Sequence, residues 1–334
     1  MKEFDLDRLV AEQVFPGAVL LISQGGRVRY RQSAGRQTYD AHSPAVDAGT
    51  IYDLASVTKV FVSATVIELI EAGDLGLEDP VRRYLSQLSE DKSSITVRQL
   101  LTHTAGLPSA PRLHNVHRTS KALTKTICEI PLQSQPGTQV LYSSLGYQYL
   151  GWLVEAVLDA PLSQCLQSRL LNPFGVEAWF TPPAELRSRI APTEFSTQRG
   201  KLLQGEVHDE NSGVLGGATG HAGLFATASG VLALGHALLE KRSPLLFREL
   251  TAGLLPARTA AFLIDDPEFA SWPTSAYSHT GFTGTSICLV PQRSVAVVLV
   301  SNRVHPSRDS ERIHPARRSV HEFACALTAG HLPD

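Results

Sequence analysis

The chain has 334 residues, 43% of them hydrophobic and 19% charged, which is ordinary globular composition and enough for one large domain or two coupled ones. A formal net charge of -2 offers no footprint for nucleic acid, and no run reaches the ~18 apolar residues of a membrane span. The start, MKEFDLDRLVAEQVF, is charged and amphipathic without the apolar core of a signal peptide, so a cytoplasmic setting is expected.

Residues 5–13 read as a short helix. GAVLLIS, QGG and RVRYRQSAG then read as strand, turn and strand, with Gly25 and Gly26 supplying the positive φ of a tight hairpin. YDLASVTKVFVSATVIELIEAG, Tyr52 to Gly73, is almost wholly apolar and reads as one buried helix capped at Gly73. Asp79-Pro80 has the form of an N-cap with proline at N1, which places Tyr84 and Ser86 in a helix. Thr96 and Gln99 form a capping box. SSLGYQYLGWLVEAVL is the clearest central helix, NSGVLGGATGHAG a glycine-rich loop, and residues 229–240 a further helix. YSHTGFTGTSICLV, PQR and SVAVVLVSN read as a second hairpin, and an amphipathic helix closes the chain on Val320, Phe323, Ala324 and Leu327. The basic stretch NRVHPSRDSERIHPARR between them reads as a solvated loop and helix start.

Neither hairpin is stable alone, so the expectation is one sheet assembled from both ends of the chain. Residues 1–78 and 215–334 would form this sheet lobe and residues 79–214 a mostly helical one. Cys128, Cys165, Cys288 and Cys325 stand far apart with no C-x-x-C and read as scattered buried thiols.

Ser56 and Lys59 open the buried helix, three residues apart and on one face. A lysine held out of water loses the solvation of its charged form, and a neutral amine beside a hydroxyl is a general base beside a nucleophile. The same S-x-x-K pattern recurs at Ser89 and Lys92, in a polar stretch with no apolar helix behind it, and there it reads as accidental. Two further elements accompany the first copy. Tyr142, Ser143 and Ser144 precede a helix, and His279, Thr280 and Gly281 lie on a predicted strand.

With these elements, and with FPGAVLLISQGGRV, IYDLASVTKV, LTHTAGLP, QPGTQVLYSSLGYQYLG, GGATGHAGLFAT and HTGFTGTSICLVP, nearly the whole chain resembles the serine β-lactamase and penicillin-recognising hydrolases. The likeness is to the branch with class C β-lactamases, D-amino-acid peptidases and esterases. It implies an α+β fold, an antiparallel sheet flanked by helices with a mostly helical second lobe. It implies Ser56 as acylated nucleophile, Lys59 as its proton partner and Tyr142 as general base or proton shuttle. The backbone N–H groups of Ser56 and Phe282 would form the oxyanion hole. Ser144, His279, Thr280, Gly281 and His221 would meet a small-molecule substrate. No cofactor, metal, nucleic acid or membrane partner is implied.

Two departures bear on substrate. Ser144 stands where the family usually has asparagine, whose amide reaches farther. His279 stands where most β-lactamases have lysine, and a mostly neutral imidazole is a weaker partner for a carboxylate. Both point toward an esterase or peptidase rather than a dedicated β-lactamase. A penicillin-recognising binding protein with little turnover is the alternative.

His208, Asp209, Glu210 and His221 match no standard metal-ligand spacing. His114 and His117 read as surface residues, and His103 as the brace of a turn. Arg303 and Arg308 follow a strand that ends near the cleft. A surface role is the first reading for both, and bidentate receipt of a substrate carboxylate the second.

Overall fold

The computed structural model describes residues 4–109 and 111–329. The strands, in chain order, are β1 (Gly17–Gln24), β2 (Arg27–Gly35), β3 (Ile51–Asp53), β4 (Ala178–Trp179), β5 (Phe195–Ser196), β6 (Lys201–Leu202), β7 (Phe225–Thr227), β8 (Leu263–Ile264), β9 (Tyr277–Thr280), β10 (Ser286–Val290) and β11 (Val295–Ser301). The helices are α1 (Leu6–Ala11), α2 (Thr58–Ala72), α3 (Val97–Leu101), α4 (Ser120–Glu129), α5 (Ser144–Leu158), α6 (Leu162–Leu166), α7 (Glu210–Val214), α8 (Ala228–Lys241), α9 (Pro244–Phe247) and α10 (Ile313–Thr328).

One six-stranded antiparallel sheet is built from both ends of the chain, in the order β2-β1-β11-β10-β9-β8. The junction is β1 against β11, in register from Ala18 opposite Ser301 to Gln24 opposite Val295. Both strands are apolar at every second residue on both faces, so each face buries a layer. Val19, Leu21, Val298 and Val300 join the large core shared with α2, α5 and α8. Ala18, Leu20, Val297 and Leu299 pack instead with Ile313, Ala316, Val320 and Ala324 of α10. Gly25 and Gly26, at φ 58° and 73°, turn β1 into β2 as their sequence requires. A second sheet, β3-β7-β4, takes its third strand from the middle of the chain. The four cysteines are free, with Cys128, Cys165 and Cys288 buried.

Several local expectations are corrected. The stretch 52–73 is not one helix. Tyr52 lies in β3, Ala55–Val57 form a 3-10 turn, and α2 begins at Thr58. Its apolar run is continuous because strand, turn and helix are all buried, and periodicity alone cannot separate them. Pro80 is extended, at ψ 126°, and leads only a 3-10 turn at Val81–Arg83, so Tyr84 and Ser86 lie in no helix. The Asp79 carboxylate accepts instead from Gly76 N and Tyr84 Oη. The segment YSHTGFTGTSICLV is two strands, β9 and β10, folded at Gly281–Gly284. The glycine-rich loop opens with the short helix α7, capped by Asp209. The basic run is not all solvated: Arg303, before α10, and Arg317, within it, are buried. The Thr96–Gln99 capping box forms as its spacing requires.

Candidate active site

Ser56 sits where β3 turns into α2. The residue before it, Ala55, has φ 46°, a conformation that costs a residue with a Cβ roughly 1–2 kcal/mol. Asp53 holds that turn. It is buried, its Oδ1 accepts from Ala55 N at 2.8 Å and its Oδ2 from His208 N at 2.7 Å. Burial raises the pKa of Asp53 against these two hydrogen bonds, which lower it. Two threonines tie the turn after β9 to the same place. Thr283 Oγ1 donates to Asp53 O at 2.7 Å and Thr285 Oγ1 to Leu54 O at 3.0 Å.

Lys59 lies in the first turn of α2 with no exposed surface. Its Nζ is 3.0 Å from Ser56 Oγ and donates to His221 O at 2.9 Å. The second S-x-x-K copy has the same contact, Lys92 Nζ to Ser89 Oγ at 2.7 Å, and Lys92 is equally buried. The difference is a carboxylate: Asp91 lies 2.9 Å from Lys92 Nζ, whereas no carboxylate pairs with Lys59 among the described residues. A lysine paired with a carboxylate has a competitor for any proton exchange with its serine; one held between a hydroxyl and a carbonyl has none.

The ring of Tyr142 lies over Lys59 Nζ, 5.1 Å to the centroid. It is placed from behind by His103, whose ring is 4.4 Å away and whose Nδ1 accepts from Ser143 N at 3.0 Å. Burial, then the nearby Arg258 and Lys59, hold the His103 pKa well below its usual value, so this histidine braces the turn as a neutral group. Ser143 Oγ donates to Pro108 O, and Ser144, half-buried, opens α5 and lines the cleft. Lys59 makes no hydrogen bond to Ser144.

On the opposite wall β9 carries His279 and Thr280 into Gly281 and Phe282. His279 Nδ1 donates to Thr280 O at 3.0 Å, and Nε2 is buried without a partner. Burial, with Lys59 and Arg258 adding to it, lowers the pKa of His279 to about 3, so the ring is neutral at ordinary pH. Gly281 is required by space: a Cβ there would meet Thr285 Oγ1 at 2.0 Å and Leu54 O at 2.5 Å. Among the described residues the N–H groups of Ser56 and Phe282 have no protein acceptor. Two free N–H groups of this kind are able to receive an oxyanion.

The cleft between these walls has a volume of about 250 Å³ and is lined by Ser56, Ser144, Asp209, His221, Phe282 and Arg308 among others. His221 holds the floor in two ways. Its carbonyl takes Lys59, and its ring lies between Gln148 Oε1 at 3.2 Å and Asp209 Oδ1 at 3.1 Å. His208 belongs to a different pair, with Glu194 at 3.1 Å, so the four residues of the metal reading are not gathered on one point. Arg308 is an ion-pair partner of Glu194 and Glu210 rather than a free surface arginine. Arg303 is buried and donates to the carbonyls of Phe282, Arg308 and Ser310. His114 is likewise not a surface residue: it is buried, lines the cleft and is held by Asn211. His117 is partly buried against Thr126.

The structure therefore brings Ser56, Lys59, Tyr142, Ser144, His221 and the β9 edge together. Asp53, Gln148, Glu194 and Arg258 were not singled out from sequence. Asp53 and Gln148 lie within stretches that carry the family likeness, but their contacts with His208 and His221, like that of Glu194 with Arg308, join segments far apart in the chain.

A family model described as Beta-lactamase matches residues 5–322. The chain is 30% identical over 359 aligned positions to an N-acetylmuramyl-L-alanine amidase of Bacillus subtilis (strain 168), covering 90% of this chain and 80% of that protein. It is 28% identical over 363 positions to a putative D-alanyl-D-alanine carboxypeptidase of Escherichia coli O157:H7, covering 92% and 84%. A class C beta lactamase from Rhodobacter sphaeroides superposes with a TM-score of 0.76 at 19% identity, over 96% of this chain and 98% of that one. No helix among the described residues is long and apolar enough to cross a membrane.

Proposed function

Since the chain belongs to the beta-lactamase family, whose relatives named above are hydrolases, we propose that it cleaves an amide bond in a cell-wall-type peptide carrying a D-amino acid, through an acyl-enzyme on Ser56. The observation that carries this reading is the buried Lys59 amine, 3.0 Å from Ser56 Oγ and free of any carboxylate among the described residues. The names of the amidase and carboxypeptidase relatives support an amide rather than a β-lactam as substrate. Neutral His279, where a lysine would favour carboxylate-bearing β-lactams, supports it also.

In this mechanism Ser56 Oγ attacks the carbonyl carbon as its proton passes to Lys59 Nζ. The new alkoxide oxygen is received by the N–H groups of Ser56 and Phe282, each worth about 3–4 kcal/mol to the transition state. The C–N bond breaks and the leaving amine departs with a proton relayed from Lys59 through the Tyr142 hydroxyl. Water then attacks the ester, returns a proton to Ser56 Oγ and releases the acid. Tyr142 is available for the relay because its ring lies over Lys59 Nζ and its hydroxyl has no competing hydrogen bond among the described residues.

Purified protein incubated with a muropeptide is expected to release an amine or D-amino acid, and with an activated ester to gain an acyl mass on Ser56. Ser56→Ala should lose both while keeping its fold. Retention of turnover by Ser56→Ala would sink the assignment. Acylation by penicillin without turnover of any amide would favour the binding-protein alternative, which rests on Ser144 in place of asparagine.

A further inference from the structure

The Phe282 N–H can serve an oxyanion only if its peptide plane keeps one direction. That plane begins at Gly281, where Thr285 Oγ1 and Leu54 O leave no room for a Cβ. A glycine leaves the backbone free to turn on that side of the peptide. The Phe282 side chain is 48% exposed and lies at the cleft, so burial does not anchor the other side. The turn itself supplies one restraint, Gly284 N donating to Gly281 O at 3.1 Å.

Two buried arginines from other segments supply the rest. Arg317 of α10 is 3% exposed, and its Nη2 donates to Gly281 O and to Thr285 O, each at 3.0 Å. Gly281 N in turn donates to Thr285 O at 2.7 Å, so one nitrogen of Arg317 clamps both sides of the fold between β9 and β10. Its Nη1 faces Glu268 Oε2 at 3.4 Å. Arg303, just beyond β11, donates from Nε to Phe282 O at 2.8 Å and lays its guanidinium 4.6 Å from the Phe282 ring centroid. Its Nη1 is tied to the carbonyls of Arg308 and Ser310. The carbonyl on each side of Phe282 is therefore held by a guanidinium. In a trans peptide the C=O and N–H point opposite ways. α10 packs on the face of the large sheet opposite α2, so a donor that α10 fixes on Gly281 O turns the Phe282 N–H toward the side of Ser56 and Lys59. A charged donor on the carbonyl also polarises the peptide and strengthens its N–H. Neither arginine is among the described residues that line the cleft.

We propose that Arg317 and Arg303 are positioning residues, which fix the two peptide planes around Phe282 from outside the cleft and hold its N–H ready for the oxyanion. This role rests on the acyl-enzyme reading of Ser56. Wild type, Arg317→Met, Arg317→Lys and Arg303→Met would be compared in turnover of an activated ester, with kcat and KM resolved and melting temperatures recorded. Trp272→Phe is the control for a weakened α10, since Trp272 Nε1 donates to His321 Nδ1 of that helix at 3.2 Å. Both methionine variants should lose about ten- to a hundredfold in kcat, with KM changed by less than about threefold. Arg317→Lys keeps the charge but has one nitrogen for three acceptors, so it should recover part of the loss. Trp272→Phe should melt lower and keep its kcat. A second readout follows the Phe282 amide itself by nuclear magnetic resonance, with phenylalanine isotopically labelled at nitrogen and the signal assigned by its loss in Phe282→Leu. The boron of an arylboronic acid accepts Ser56 Oγ as the hydroxyl proton leaves to Lys59, and the tetrahedral anion formed mimics the intermediate. That adduct should move the Phe282 signal downfield in wild type and less in Arg317→Met. If Arg317→Met does not fold, Arg317→Lys and Arg303→Met decide by the same measures. Methionine variants that keep kcat within about threefold of wild type, a kcat loss matched by Trp272→Phe, or a boronate shift undiminished in the arginine variants would overturn the positioning role and leave the acyl-enzyme reading standing. A wild type that neither turns over the ester nor takes the boronate on Ser56 would overturn both.

Discussion

Replacing Gly281 by alanine adds one methyl group at the place where the β9 edge meets the turn that carries Ser56. Built on the present backbone, that Cβ lies 2.0 Å from Thr285 Oγ1 and 2.5 Å from Leu54 O. The hydroxyl can rotate away, but then its 3.0 Å hydrogen bond to Leu54 O is lost, at about 1 kcal/mol. The carbonyl is backbone and cannot rotate away, so the strand must shift, at a further ~1–3 kcal/mol of overpacking. Together the expected destabilisation is about 2–4 kcal/mol, a drop of several degrees in melting temperature. The functional effect should be larger than the structural one. Phe282, the next residue, carries one of the two free N–H donors, and displacing an oxyanion donor costs on the order of 10²–10³ in kcat. The assay is turnover of an activated ester by variant and wild type, with KM and kcat resolved and melting curves recorded beside them. An expected result is a kcat loss of about a hundredfold or more with KM changed far less. A Gly281→Ala protein that melts with the wild type and keeps kcat within about threefold would refute the close approach and the donor role together.

Three further outcomes are expected. Glu194 sits under burial that alone would raise its pKa, but hydrogen bonds and charge from His208 and Arg308 hold it at about 2. A folded pKa depressed below the unfolded value of about 4.3 adds stability that is full above that value and is lost as pH falls toward 2, up to about 3 kcal/mol before screening. Glu194→Gln should therefore be less stable at pH 7 and flatter between pH 5 and 2 in denaturant titrations; an unchanged acid limb would contradict this. His279 is neutral across the working range, its pKa lowered to about 3 by burial first. His279→Gln should shift kcat/KM without changing the shape of its pH profile between 5 and 8, and disappearance of a limb near 6.5 would show that His279 titrates there. Asp53→Asn replaces one of two acceptor oxygens by a donor facing a backbone N–H, so it should cost about 1–3 kcal/mol and at least tenfold in kcat, read by denaturant unfolding and ester turnover.

Local chemistry was legible in the chain to different depths. The pairing of both termini into one sheet followed from two apolar hairpins that neither end could bury alone, and β1 against β11 is that pairing. The Ser56–Lys59 contact followed from a three-residue spacing, although the first of the two residues lies in a 3-10 turn rather than in the helix. The boundary within Tyr52–Gly73 was hidden because strand, turn and helix there are equally buried, and uniform burial erases the period that tells them apart. The fold at Gly281–Gly284 was hidden for a related reason: glycine and threonine suit both a strand and its turn, and the close approach of Leu54 that requires Gly281 comes from a segment more than two hundred residues away.

The two S-x-x-K copies are told apart by the partners of their lysines: Lys92 meets Asp91, its own neighbour inside the motif, whereas Lys59 meets the carbonyl of His221, far away in the chain. Distant partners likewise define Arg303 and Arg308, which meet Phe282 O and the Glu194 carboxylate. Sequence by itself determined which residues carry reactive groups and where most helices and strands lie, because both depend largely on covalent structure and near neighbours. Tertiary structure alone decided the long-range ion pairs, which amides stay free and which glycine has no room for a methyl group. Those properties depend on distances between segments far apart in the chain, and no local pattern encodes them.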